Sequence, residues 1–162
     1  MKSKRSIVFL VLCAVMFAAL TQPVFAEASD TTVPADELLS RRVETMQNGW
    51  TVITETRLLN QSIAATRSTK TTSTTTTVTH NGATIGIFTI QATFQYNGST
   101  VSVISKSVTR ADTYDGWSYT QTSFTSSGGT VTLNGKLTKL VVFTHNFSMS
   151  LTCDKNGNVS AS

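Results

Sequence analysis

From Ser68 onward the chain alternates apolar or β-branched residues with polar ones at a period of two, and Asn-Gly, Asp-Gly or Gly-Gly pairs separate the runs. No other feature constrains the fold as tightly. Successive side chains of a strand point to opposite faces, so a two-residue rhythm describes segments with one side to bury. Asn-Gly and Gly-Gly pairs supply the left-handed backbone of a tight hairpin, which joins neighbouring strands in antiparallel order.

The runs read as follows. Ser68 to His80 is a long polar strand turned by Asn81-Gly82. Ala83 to Tyr96 returns with Phe88, Ile90, Ala92, Phe94 and Tyr96 on one face and Thr89, Gln91, Thr93 and Gln95 on the other. Asn97-Gly98 turns again into Thr100 to Arg110, and Asp115-Gly116 precedes Trp117 to Thr125. Gly128-Gly129 introduces Thr130 to Leu133, and Asn134-Gly135 is taken as a turn before Leu137 to Thr144. Phe147 to Cys153 alternates cleanly, and Asn156-Gly157 leads to a last short strand at Val159. The expected fold is all-β: a single antiparallel β-sandwich of about seven or eight strands, with a closed barrel as the alternative.

Two readings fit the stretch before Trp50. Leu39, Val43 and Met46 fall at helical spacing and Glu37 stands four residues before Arg41, which favours a short N-terminal helix ended by Asn48-Gly49. The same Asn-Gly pair equally suits a hairpin between a strand ending at Met46 and one beginning at Trp50. Arg57-Leu58-Leu59 to Ala65 is ambiguous.

The N-terminus sets the compartment. Lys2, Lys4 and Arg5 precede an uncharged apolar run from Ile7 to Leu20, and Pro23-Val24-Phe25-Ala26 closes it. These are the parts of a cleavable signal, with Val24 and Ala26 as the small residues a signal peptidase accepts, so cleavage is expected after Ala26. The run is short for a spanning helix and a helix breaker follows it. Cys13 follows Leu12 in mid-run, which does not suit a lipid-modified cysteine. The expected organisation is residues 1–26 signal peptide, 27–36 flexible leader and 37–162 Thr/Ser-rich β-sandwich domain, in a secreted protein.

Charge then bears on partners. The whole chain has 13 basic and 9 acidic residues. Removing Lys2, Lys4 and Arg5 leaves ten against nine, a net of +1 with no dense basic stripe, so a nucleic-acid partner is not expected. Cys153 is the one thiol left after the signal and is read as a small buried apolar residue rather than an intermolecular bridge.

Thr and Ser make up about a third of the chain beyond Ala26 and concentrate between Thr69 and Thr79. That tract is expected to be a solvated strand of the kind that suits a sheet edge, where hydroxyls keep the surface polar without charge. Its composition resembles the Ser/Thr-rich strands of aerolysin-type pore-forming toxins, although a lipid-facing apolar face is missing from Ser68 to Thr77. Flat Thr arrays also occur on ice-binding faces, but one strand is not an array.

No catalytic signature stands out. His80 and His145 are expected to be solvated, and no His, Asp or Glu falls at zinc-ligand spacing. No G-x-S-x-G elbow occurs. Asp112 and Asp115 could form a glycosidase pair but read first as turn residues. Asp154-Lys155-Asn156-Gly157-Asn158 starts like a calcium loop, yet its Gly is misplaced and no closing Glu follows. No metal or cofactor is expected. The densest candidate is Tyr114-Asp115-Gly116-Trp117-Ser118-Tyr119: Trp117 and Tyr119 share a strand face beside Tyr114 and Asp115, a set that can stack on a sugar ring and bond its hydroxyls. The competing reading places Trp117 and Tyr119 in the core. The expectation is a secreted, non-enzymatic binding module for a glycan, cell-envelope or protein partner, with a secreted antibacterial or pore-forming β-protein as the alternative.

Overall fold

The computed structural model describes residues 36–64, 66–140 and 143–162. The expected signal peptide, its expected cut after Ala26 and the expected leader as far as residue 35 lie outside the described residues. The rest forms two antiparallel sheets. The first has five strands, β1 (Glu37–Thr45), β2 (Trp50–Ser62), β3 (Ser68–His80), β4 (Ala83–Tyr96) and β5 (Val101–Thr113), lying side by side in that order. The second has four, β6 (Ser118–Ser127), β7 (Thr130–Lys139), β8 (Phe143–Cys153) and β9 (Val159–Ala161), again in chain order. The sandwich-like all-β architecture is therefore as expected, with nine strands among the described residues rather than about seven or eight. Among the described residues no helix is long and apolar enough to cross a membrane.

The core is built where the period-two rhythm is cleanest. Phe88, Ile90, Ala92 and Phe94 of β4 are buried against Val131, Leu133 and Leu137 of β7 and Phe147, Met149 and Leu151 of β8. Fully burying a side chain such as Phe or Leu stabilises by about 1.5–3 kcal/mol, so these facing strands hold the two sheets together. Cys153 is buried here, and burial pushes its thiol up to about 11.

The expected N-terminal helix is instead β1. Asn48 (φ 67) and Gly49 (φ 77) take successive left-handed conformations and fold β1 back on β2, pairing Val43 with Ile53 and placing Arg41 3.0 Å from Glu55. The helical spacing of Leu39, Val43 and Met46 misled because these side chains stay exposed on an outer strand, where no core selects them. Pairing with β2 satisfies the backbone that a lone short helix would leave marginal.

The Thr tract is also corrected. β3 is the central strand of the first sheet, not an edge, and one of its faces is core: Thr72 and Thr74 are 0% exposed and Thr76 2%. Threonine can do this because its methyl group packs, and at Thr74 and Thr76 the hydroxyl finds a partner across the ladder, whereas that of Thr72 has none. Thr56 and Thr74 hydroxyls lie 3.1 Å apart and those of Thr54 and Thr76 3.4 Å. On the opposite face Thr71–Thr93 and Thr75–Thr89 pair at 3.0 and 2.9 Å.

Asn134-Gly135, expected as a turn, lies inside β7. Asn134 donates to the Ser123 hydroxyl at 2.9 Å, and the missing side chain of Gly135 makes room for the Tyr119 ring. The segment after Leu58 continues β2 to Ser62.

Candidate functional site

The turn that makes β1 a strand also delivers Trp50 to one end of the sandwich, at the first position of β2. His80, the last residue of β3, is its register partner. From the second sheet, β8 brings His145 to the same place. The Trp50 ring contacts both imidazoles, stacked on His145 (centroids 4.3 Å apart, 16° between planes) and tilted against His80 (4.8 Å, 37°). Trp117 meets it edge-on at 5.6 Å and 78°. The cluster joins side chains from both sheets. Aromatic pairs of this kind contribute about 0.5–1.5 kcal/mol beyond their buried area.

Both histidines thus depart from the expectation of solvated rings: each is half-buried against Trp50. Burial lowers the pKa of His145 because the charged imidazolium would lose its hydration.

Beside this cluster opens a cleft of about 450 Å³. Trp50, Trp117, His80, Ile85 and Phe143 supply its walls, and Asn48, Asp115 and Lys139 its polar groups. The Asp115-Gly116 turn, with φ 56 and 75, places the Asp115 carboxylate 2.8 Å from the Lys139 ammonium. Phe143 is 60% exposed, which leaves a flat apolar ring open to solvent. The arrangement offers aromatic surface with a cation, a carboxylate and an amide around it. Such a lining suits a small polar ligand with one flat side.

Of the four residues singled out from the sequence, the structure brings two to this cleft. Asp115 lines it, and so does Trp117, although Trp117 is only 8% exposed and mostly core. Tyr114 is exposed, and its hydroxyl accepts a hydrogen bond from Arg110 at 3.0 Å. Tyr119 packs on Phe88 (4.7 Å), its hydroxyl buried without a partner and its pKa raised by burial. Trp50, His80, Phe143, Lys139 and Asn48 were not legible as site residues, because they come from three separate stretches of the chain and no local motif links them. The signal available was the chain's count of two Trp, one beginning β2 and one preceding β6.

Asp112 and Asp154, the other carboxylates weighed from the sequence, have structural partners. Asp112 holds Arg110 at 2.6 Å. Asp154 accepts from the side chain and backbone of Asn158 and the backbone of Asn156, which holds its carboxyl below the usual range and defines a hairpin turn. Among the described residues no three His, Cys, Asp or Glu side chains converge as metal ligands would.

No protein-family model, no curated protein and no solved structure matches this chain.

Proposed function

We propose that the protein is an exported, non-catalytic binding module that takes a glycan of the cell envelope in the Trp50–Trp117 cleft. One observation carries the reading: two indoles, the open Phe143 ring and the Asp115–Lys139 pair converge at one end of the sandwich. Flat apolar rings stack on the C–H face of a sugar, while the carboxylate, ammonium and Asn48 amide can exchange hydrogen bonds with its hydroxyls. The non-catalytic part rests on the lining, where Asp115 is engaged by Lys139 and which includes no hydroxyl or thiol nucleophile among its described residues. Export rests on the N-terminal pattern of the sequence.

The pore-forming alternative has less behind it. A strand that faces lipid needs an apolar face, whereas β3 carries threonine on both faces along most of its length.

The test uses the protein's own fluorescence, since both of its tryptophans line the cleft. Titration with soluble cell-wall oligosaccharides, together with a glycan array, is expected to give a saturable emission change. Phe143→Ala should abolish it and Asp115→Asn weaken it, both with unchanged melting temperature because these side chains are exposed. Trp117→Ala is unsuitable because it removes core. Binding that survives Phe143→Ala, or no glycan binding at all, overturns the proposal.

A further inference from the structure

We infer that the free edge of β8 is an acceptor for an extended, uncharged polypeptide strand, which docks antiparallel to β8 and continues the line of β9.

The backbone of β8 identifies what fits there. Cys153 donates its N–H to Gly129 beside β7, so odd-numbered residues of β8 direct their ladder groups toward β7. Even-numbered residues direct theirs to the other side. On that side Ser150 exchanges both backbone bonds with Ser162, at 2.6 and 3.0 Å. β9 pairs only from Leu151 to Cys153. Before Ser150, the N–H and C=O groups of Thr144, Asn146 and Ser148 face a side where no strand pairs among the described residues. A row of alternating donors and acceptors at ladder spacing is complementary to another strand's backbone.

A groove runs along this edge and begins at Ser162. Its far wall carries Met46, Val52 and the ion pair between Arg42 and Glu44. That pair cancels its own charge, so the wall favours uncharged side chains. The space of about 100 Å³ admits small or β-branched ones such as Ala, Ser, Thr or Val. An added strand that keeps the β9 register would point alternate side chains inward opposite Met149, Phe147 and His145.

The β1 edge of the first sheet and the β8 edge of the second differ in charge. β1 carries Glu37, Arg41, Arg42 and Glu44, the charges with which proteins discourage strand addition. Thr144, Asn146 and Ser148 carry none. β6, the other outer strand of the second sheet, is also free of charge, so what marks the β8 edge is its unpaired backbone lying beside the groove.

The probe is the blocked peptide Gln-Ser-Val-Thr-Ala-Thr-Val-Ser-Gln, added to isotope-labelled protein while amide exchange is followed residue by residue. At saturation the Thr144, Asn146 and Ser148 amides should exchange about tenfold or more slowly, with their odd-numbered neighbours little changed. Asn146→Pro removes an N–H that β7 does not use and should abolish the protection. Asn146→Lys, which keeps the backbone intact, should weaken it if the proline variant fails to fold. Absent or uniform protection, or protection that survives both variants, overturns the proposal. So does protection of these amides by raising protein concentration without peptide, since a second copy would then be the occupant.

Discussion

Thr72 lies at the centre of the first sheet, 0% exposed, and its hydroxyl is buried without a hydrogen-bond partner. Two positions along on the same face, Thr74 shares its hydroxyl with Thr56 at 3.1 Å. Thr→Val at the two sites removes the same atom from opposite circumstances. A buried, unpaired hydroxyl costs about 1–3 kcal/mol in proteins, and valine keeps the shape and the strand preference. Thr72→Val should therefore stabilise by about 1 kcal/mol, a rise of roughly 3–4 °C in melting temperature for a domain of this size. Thr74→Val should destabilise by about 1 kcal/mol, because it strands the Thr56 hydroxyl. Thr56→Val should cost about the same for the same reason, and replacing Thr56 and Thr74 together should recover most of the loss, giving a coupling of roughly 1.5–2 kcal/mol. Urea denaturation of the four variants with a common m-value measures all of these. The reasoning would be falsified if Thr72→Val proved as destabilising as Thr74→Val, or if the double variant lost the sum of its singles.

Gly135→Ala should destabilise by about 2 kcal/mol, because the new methyl would overlap the Tyr119 ring in a packed core; thermal melting measures it, and an unchanged melting temperature would place Tyr119 elsewhere. The pH dependence of stability follows from His145, whose pKa is lowered by burial from its ordinary 6.5. The folded state prefers the neutral ring, so the unfolded chain binds more protons at mildly acid pH. This contribution is complete above about 6.5 and is lost as pH falls toward and through the lower folded value. His145→Phe keeps an aromatic face for Trp50 and should reduce the slope of denaturation free energy against pH between about 5 and 7; an unaltered slope would remove His145 as its source.

Much of the fold was legible because its signals are local. The β3 and β4 boundaries follow directly from alternation interrupted by Asn81-Gly82, and both residues adopt the positive φ such a turn requires. Where local signals conflicted, the structure resolved them through distant partners. Leu39, Val43 and Met46 have a helix's spacing, but β2 offers ladder bonds and a partner for Arg41 in Glu55. Asn134-Gly135 has a turn's composition, yet its neighbours Ser123 and Tyr119 give it a place in mid-strand. Of the candidate site, Asp115 and Trp117 could be read because they share a turn, whereas Phe143 and Trp50 are neighbours of that turn only in space.

By itself, then, the sequence determined the class of fold, the course of most strands and the alternation that gives each strand two faces, since these depend on side-chain periodicity and on backbone conformations that a few residues permit. Only the tertiary structure decided that β3 sits in the middle of its sheet with Thr72, Thr74 and Thr76 inward, because a strand with threonine on both faces carries no local mark of which one is buried. It also decided the meeting of Trp50 with His145 across the two sheets. That contact depends on how the layers face each other, a property of the assembled core and of no single segment.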